Sequence, residues 1–234
     1  MGAEGKVERR LLLIYCSFTC IYLTNILAIM KFSDKLHIVG RYTFLSVLWV
    51  LIFAEVVKLV FPMLQPEAPT IIKVEPRRAK KSWGNLREIF KFLLAALALS
   101  LVYYVIIVLF GAPVLTDHEE TTMLVLTLVT LTFIPTSLHL GVDGALDMLM
   151  GIYSQKGGIL ADALRLNIQL TILGTWLGAT VIPLDWDRYW QAWPIPCVIG
   201  ALLGYLTAHF VTLLKMLSVF STLGKSLSLP FFSK

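Results

Sequence analysis

The residues of this chain best suited to chemistry lie together at Asp185, Trp186, Asp187 and Arg188. Two carboxylates separated by one residue could share a cation, and a neighbouring guanidinium could grip a phosphate through paired N–H groups. The same residues can instead satisfy one another by salt bridging and capping, while Trp186, Trp190 and Trp193 anchor the loop at the level of lipid headgroups. Structure or partner contact is the favoured reading, because catalysis needs a second cluster and the rest of the chain offers none.

Three other places carry candidate residues. Asp117, Glu119 and Glu120 stand beside His118 as a metal set would, but acids at this position also suit the positive end of a helix about to begin. Asp143-Gly144-Ala145-Leu146-Asp147 resembles the opening of the CDP-alcohol phosphotransferase motif, yet the Arg that should follow and the later spaced Asp pair are missing. His139 reads as a hydrogen-bonded residue near the membrane interface. Cys16, Cys20 and Cys197 form neither a CxxC metal pattern nor a disulfide framework, so apolar packing is expected of Cys16 and Cys20. No phosphate-binding glycine loop and no GxSxG nucleophile elbow occurs. The chain is therefore expected to have no catalytic residue, no metal and no cofactor. Glu55 and Lys58, three apart on a helix, read as an interfacial ion pair at the end of a span.

The elements that must position these residues follow from composition. Hydrophobic residues make up 57% of the 234, charged residues only 15%, and the mean hydropathy is +0.78. Such a chain is an all-α polytopic integral membrane protein, and residues 1–234 form a single membrane domain. About six transmembrane helices are expected, over residues 11–30, 38–61, 92–110, 122–140, 164–184 and 194–217. Pro62 should stop the second span, and Gly111-Ala112-Pro113 the third. Pro135 should kink the fourth. Residues 141–165 read as a surface-lying amphipathic segment followed by a flexible loop. Arg165, Asn167 and Gln169 make the start of the fifth span polar, which suits a helix facing protein rather than lipid.

The net charge of +5 could suggest nucleic acid, but the basic residues flank apolar spans, so no nucleic-acid partner is expected. Seven of them crowd the Pro-rich loop 62–91. Both termini and that loop are expected to be cytosolic, which places 16 of the 20 Lys and Arg residues inside and leaves the loop 185–193 on the opposite face. Gly174 with Gly178, and Gly200 with Gly204, are each four apart, so each pair lies on one helix face where another backbone can come close.

Trp176-Leu177-Gly178-Ala179, Ile182-Pro183-Leu184-Asp185-Trp186-Asp187-Arg188, Trp190-Gln191-Ala192-Trp193-Pro194 and Gly200 through Gly204-Tyr205 closely resemble the carboxyl-terminal signature of the PIG-F family. Phe110-Gly111-Ala112-Pro113 resembles a second landmark of that family. The match is specific over roughly residues 165–210; before residue 90 only the general layout agrees. The resemblance implies a multi-pass protein of the endoplasmic reticulum membrane that serves glycosylphosphatidylinositol (GPI) anchor biosynthesis. It implies a non-catalytic subunit that binds and stabilises the ethanolamine phosphate transferases PIG-O and PIG-G, with the metal site in the partner. On that reading Gly174, Gly178, Gly200 and Gly204 serve helix packing or partner binding. Asp185, Trp186, Asp187, Arg188, Trp190 and Trp193 brace the partner or touch lipid at the lumenal face. A lipid-handling enzyme or transporter using Asp187 and Arg188, or a subunit that presents the GPI lipid, remains open beside it.

Overall fold

The computed structural model describes residues 3–33, 35–63, 83–113, 116–152 and 158–217, and among these no strand occurs. Helix α1 (Ala3–Phe32) is followed by two short 3₁₀ turns, Lys35–Ile38 and Tyr42–Phe44, and then by α2 (Leu45–Met63) and α3 (Trp83–Leu109). Helix α4 (His118–Leu128) passes through a π-helical stretch, Val129–Phe133, directly into α5 (Ile134–Leu149). Helix α6 (Ile159–Ala179) and α7 (Ile195–Met216) complete the bundle, with a 3₁₀ turn at Tyr189–Gln191 between them.

The rod formed by α4 and α5 is the centre of the molecule. In its most apolar window 72% of the residues are buried, against 6% for α3, which lies along the outside. Met123, Leu124, Leu131 and Phe133 from the rod pack with Leu23 of α1, Leu48 and Leu51 of α2, and Val198, Leu202 and Tyr205 of α7. The hydroxyls that punctuate this apolar rod are satisfied locally: Thr127, Thr132 and Thr136 each donate to the carbonyl four residues back, at 2.7, 2.6 and 2.6 Å.

The expected kink at Pro135 takes a specific form. Proline has no N–H to give to the carbonyl of Leu131, and the helix ahead of it widens into the π-helical stretch. The freed carbonyl oxygen accepts instead from Asn167 Nδ2 of α6, at 3.2 Å. A second interruption, at Gly141 with φ of 76°, turns the last eight residues of α5 out of line, so this part of the segment expected to lie on the surface is helical up to Leu149.

Other boundaries shift from the sequence reading for physical reasons. Helix α3 starts at Trp83, nine residues before the expected span, because the basic stretch 83–91 is itself helical. Pro62 falls within the last turn of α2 rather than beyond it. Most of the Pro-rich basic loop lies outside the described residues. The stop at Gly111 is as expected: its φ is 103°, its N–H donates to Val108 O, and the N–H of Ala112 reaches Ile107 O, the paired bonds of a Schellman motif.

Among the described residues five helices are long and apolar enough to cross a membrane: those within Arg9–Phe32, Tyr42–Leu59, Leu86–Leu109, His118–Leu149 and Ile195–Met216. The expected fifth span, now α6, is not among them. Asp162, Arg165, Asn167 and Gln169 dilute its hydropathy, although at 21 residues it is long enough. It nevertheless runs beside α7 over their shared length, for the reason given below.

Candidate functional site

Two groups of polar residues stand out, one buried and one exposed. The buried group was not expected. On α1, Tyr15, Thr19 and Tyr22 follow one another at spacings of four and three, which aligns them on one helical face. Glu55 and Lys58 of α2, and Tyr205 and His209 of α7, meet that face. Glu55 and Lys58, which sequence position suggests as an interfacial pair, are 3% and 5% exposed and so are enclosed by protein.

The Glu55 carboxylate is fully engaged. Its Oε2 accepts from the Tyr15 hydroxyl at 3.0 Å, and its Oε1 from Tyr22 at 3.2 Å, Tyr205 at 2.5 Å and Lys58 Nζ at 2.5 Å. Lys58 Nζ also donates to Thr19 Oγ1 at 2.8 Å and sits 4.0 Å above the Tyr15 ring. His209 Nδ1 lies 3.0 Å from Tyr205 O, and since a carbonyl can only accept, this nitrogen carries the proton. The His209 ring stacks on Tyr15 at 5.6 Å, and His139 of α5, expected near the interface, meets the edge of the same tyrosine at 5.4 Å. Four helices are thereby tied to one ion pair. With its charge opposed and both oxygens accepting hydrogen bonds, Glu55 is arranged to hold helices together.

The four glycines lie where α6 and α7 touch. A Cβ placed on Gly174 would fall on the carbonyl oxygen of Gly200, and one on Gly200 would fall on that of Gly174. In the same way Gly178 abuts Pro196 O, and Gly204 abuts Leu170 O. These contacts pair residues 170 with 204, 174 with 200 and 178 with 196, an antiparallel register. Carried along both helices it matches Ile159 with Lys215 and Ala179 with Ile195, so the two helices are coextensive. The glycines' close neighbours are therefore in this chain.

The loop between these helices is held from within and open outside. Gln191 is its internal post: its Oε1 accepts from Arg188 N at 3.0 Å, and its Nε2 donates to Val181 O at 3.1 Å and Leu184 O at 2.6 Å. Trp193 Nε1 donates to Thr121 Oγ1 at 3.2 Å, tying the loop to the start of α4, and the Trp193–Pro194 peptide bond is cis. Trp190 packs against the core and meets Trp186 edge-on at 5.9 Å. Asp185, Trp186, Asp187 and Arg188 point outward, with Trp186 56% exposed. The ion pairs among the described residues are Glu55–Lys58 and Lys91–Asp143, so Asp185 and Asp187 do not neutralise Arg188 as the self-satisfied reading expected.

The remaining candidates are dispersed. Lys91 pairs with Asp143 at 2.6 Å, joining α3 to α5. Glu119 Oε1 accepts from Tyr42 N at 2.5 Å, and His118 Nδ1 is 3.0 Å from the Tyr104 hydroxyl. Among the described residues no three His, Cys, Asp or Glu side chains are grouped to hold a metal ion.

With this geometry in view, comparison with known proteins is decisive at the level of family. The family model described as GPI biosynthesis protein family Pig-F matches residues 13–213. The chain belongs to the PIG-F family. A human member described as "GPI ethanolamine phosphate transferase, stabilizing subunit" is 34% identical over 134 residues, which is 56% of this chain and 58% of the human protein. The mouse protein of the same description is 36% identical over 111 residues, 47% of this chain and 50% of its own length. In Candida glabrata, "Glycosylphosphatidylinositol anchor biosynthesis protein 11" is 39% identical over 128 residues, 52% of each chain. The chain thus spans about half the length of the curated relatives it matches. No solved structure matches it.

Within this PIG-F chain the buried cluster escaped sequence reading because its members are distant in the chain, Glu55 and Tyr205 being 150 residues apart. One signal was present. Tyr15, Thr19 and Tyr22 form a polar stripe inside an otherwise apolar span, as do Tyr205 and His209, and polar stripes in spans must meet partners.

Proposed function

We propose that this chain is a non-catalytic subunit that binds and stabilises the ethanolamine phosphate transferases PIG-O and PIG-G in GPI-anchor biosynthesis, in the endoplasmic reticulum membrane. Membership of the PIG-F family and the description of the human and mouse relatives as stabilizing subunits support the reading. The observation that carries it is the state of Glu55, whose oxygens are occupied by three tyrosines and a lysine of its own chain. Ionisable residues within a membrane domain ordinarily mark a pathway or a site, and here they are spent on holding α1, α2 and α7 in place.

The topology that accompanies this reading has six crossings and both termini in the cytosol. The coextensive pairing of α6 with α7 supports the sixth crossing, and the distribution of Lys and Arg supports the orientation. The loop 185–193 is then lumenal. Its outward Asp185, Trp186, Asp187 and Arg188 form a brace for the partner, anchored by Trp190 and Trp193. Gly174, Gly178, Gly200 and Gly204 serve helix packing, which keeps the hairpin beneath that brace rigid.

A second reading makes Asp187 and Arg188 direct participants in phosphate or lipid handling, favoured by their exposure and by the lack of an ion pair between them. One experiment separates the two. Cells depleted of the chain are resupplied with wild type, Gly200→Leu, or an Asp187→Asn, Arg188→Ala double variant, and transferase abundance, co-purification and ethanolamine phosphate addition are measured. The stabilising reading expects wild type to restore abundance and Gly200→Leu to fail. Ethanolamine phosphate addition should follow transferase abundance in every case. If the double variant keeps abundance and co-purification but abolishes addition, the second reading replaces the first.

A further inference from the structure

The outward face of helix α6 sets two polar side chains, Arg165 and Gln169, among apolar ones. Seen down its axis, Arg165, Gln169, Ile172, Leu173 and Trp176 fall within about 100° of one another, and all are exposed. Gln169 is the middle residue of Ile159–Ala179, about 15 Å from either end at 1.5 Å per residue. A glutamine side chain cannot reach the headgroups from that depth. Arg165 lies about 9 Å from the helix start and could extend its guanidinium toward the interface, so Gln169 is the decisive residue.

Three exposed polar side chains of neighbouring spans are satisfied by their own helices. Thr24 donates to Cys20 O, Asn25 to Ile21 O and Thr207 to Leu203 O. Neither Gln169 nor Arg165 has such a bond among the described residues. The exposed face of α3, in contrast, carries Leu93, Leu97 and Leu101, suited to lipid. Met148, in the part of α5 beyond the backbone break at Gly141, packs against Ala161, Leu164 and Ile168 of α6, and beside that contact a groove of about 520 Å³ is lined by Arg165, Gln169, Ile172 and Trp176.

We propose that this face of α6, with its groove, seats a transmembrane helix of the catalytic partner that presents a carboxylate or carboxamide at the depth of Gln169. Gln169 offers an amide donor and an acceptor, and Arg165 a cation one turn away, so the complementary helix is acidic or amide-bearing there and apolar on either side. Lipid tails provide neither group, and the cost of leaving a donor unpaired in hydrocarbon is what draws the partner helix to this face. The inference rests on the stabilising role proposed above and adds the surface through which it acts.

The test uses the full chain in membranes, with a photo-crosslinking residue at position 169 or 172, or at 97 on α3 as the lipid-facing control. Transferase adducts from 169 and 172 and none from 97 are expected. Gln169→Leu should lower co-purified transferase about threefold and the Arg165→Leu, Gln169→Leu pair further, while the chain's own thermal midpoint is unchanged or raised. If wild type co-purifies with the transferase but 169 and 172 give only lipid adducts, or the variants bind as well as wild type, the surface is wrong and the stabilising role stands. If wild type does not co-purify with any GPI ethanolamine phosphate transferase, the stabilising role falls and this inference falls with it.

Discussion

The cluster around Glu55 and the loop around Asp187 are built from similar residues and treated oppositely. Each combines acid, base and aromatic side chains. In the first, every charge is buried and opposed, and the hydroxyls of three tyrosines converge on one carboxylate. In the second, the backbone is fixed by Gln191 and Trp193 while the charges face outward without an ion pair between Asp187 and Arg188. The difference teaches that a charged pair inside the bilayer region is costly enough to dictate how helices assemble, whereas charges on a loop are free to be used by something else.

Breaking the buried side should have the largest effect. Lys58→Leu leaves Glu55 charged without its counter-ion, and a loss of about 3–5 kcal/mol is expected, read as a collapse of the thermal midpoint in detergent. The Glu55→Leu, Lys58→Leu double variant should recover part of that loss, because the uncompensated charge is gone; additive losses would contradict the account of the cluster. A middle-sized effect is expected for Gln191→Ala, which removes the post of the loop: about 1–3 kcal/mol, seen locally as faster hydrogen exchange at residues 181–191. The smallest effect on stability belongs to Asp187→Asn with Arg188→Ala, within about 0.5 kcal/mol in the isolated chain. A thermal shift as large as that of Gln191→Ala would show that the outward charges are structural after all.

Much of the helical character could be read from the sequence because long apolar runs have few alternatives: α1, α2, α3 and α7 each contain an apolar run, although α1 and α3 begin several residues before it and α2 begins later than expected, and Gly111 ends α3 as its conformational freedom predicts. What could not be read depended on distant partners. Nothing local reveals that Pro135 frees the carbonyl of Leu131 for Asn167, since that bond exists only once α6 lies against the rod. The Glu55–Lys58 pair sits near Pro62 and near the end of its helix, the same pattern an interfacial pair would show. Of the site residues, the four glycines were legible as close-contact positions from their spacing alone. The loop charges were legible as exposed, but their failure to pair was not, because pairing depends on backbone directions such as the positive φ of 47° at Asp187.

The glycine contacts between α6 and α7 also bear on how the chain is made. Helix α6 emerges from the ribosome first and is too polar to partition into lipid by itself, while α7, apolar and 22 residues long, follows after a short loop. On the six-crossing topology proposed above, α6 waits for α7, and the pair enters the bilayer as a closed hairpin. On that topology the arrival of α7, rather than of α6 itself, commits the polar helix to the membrane.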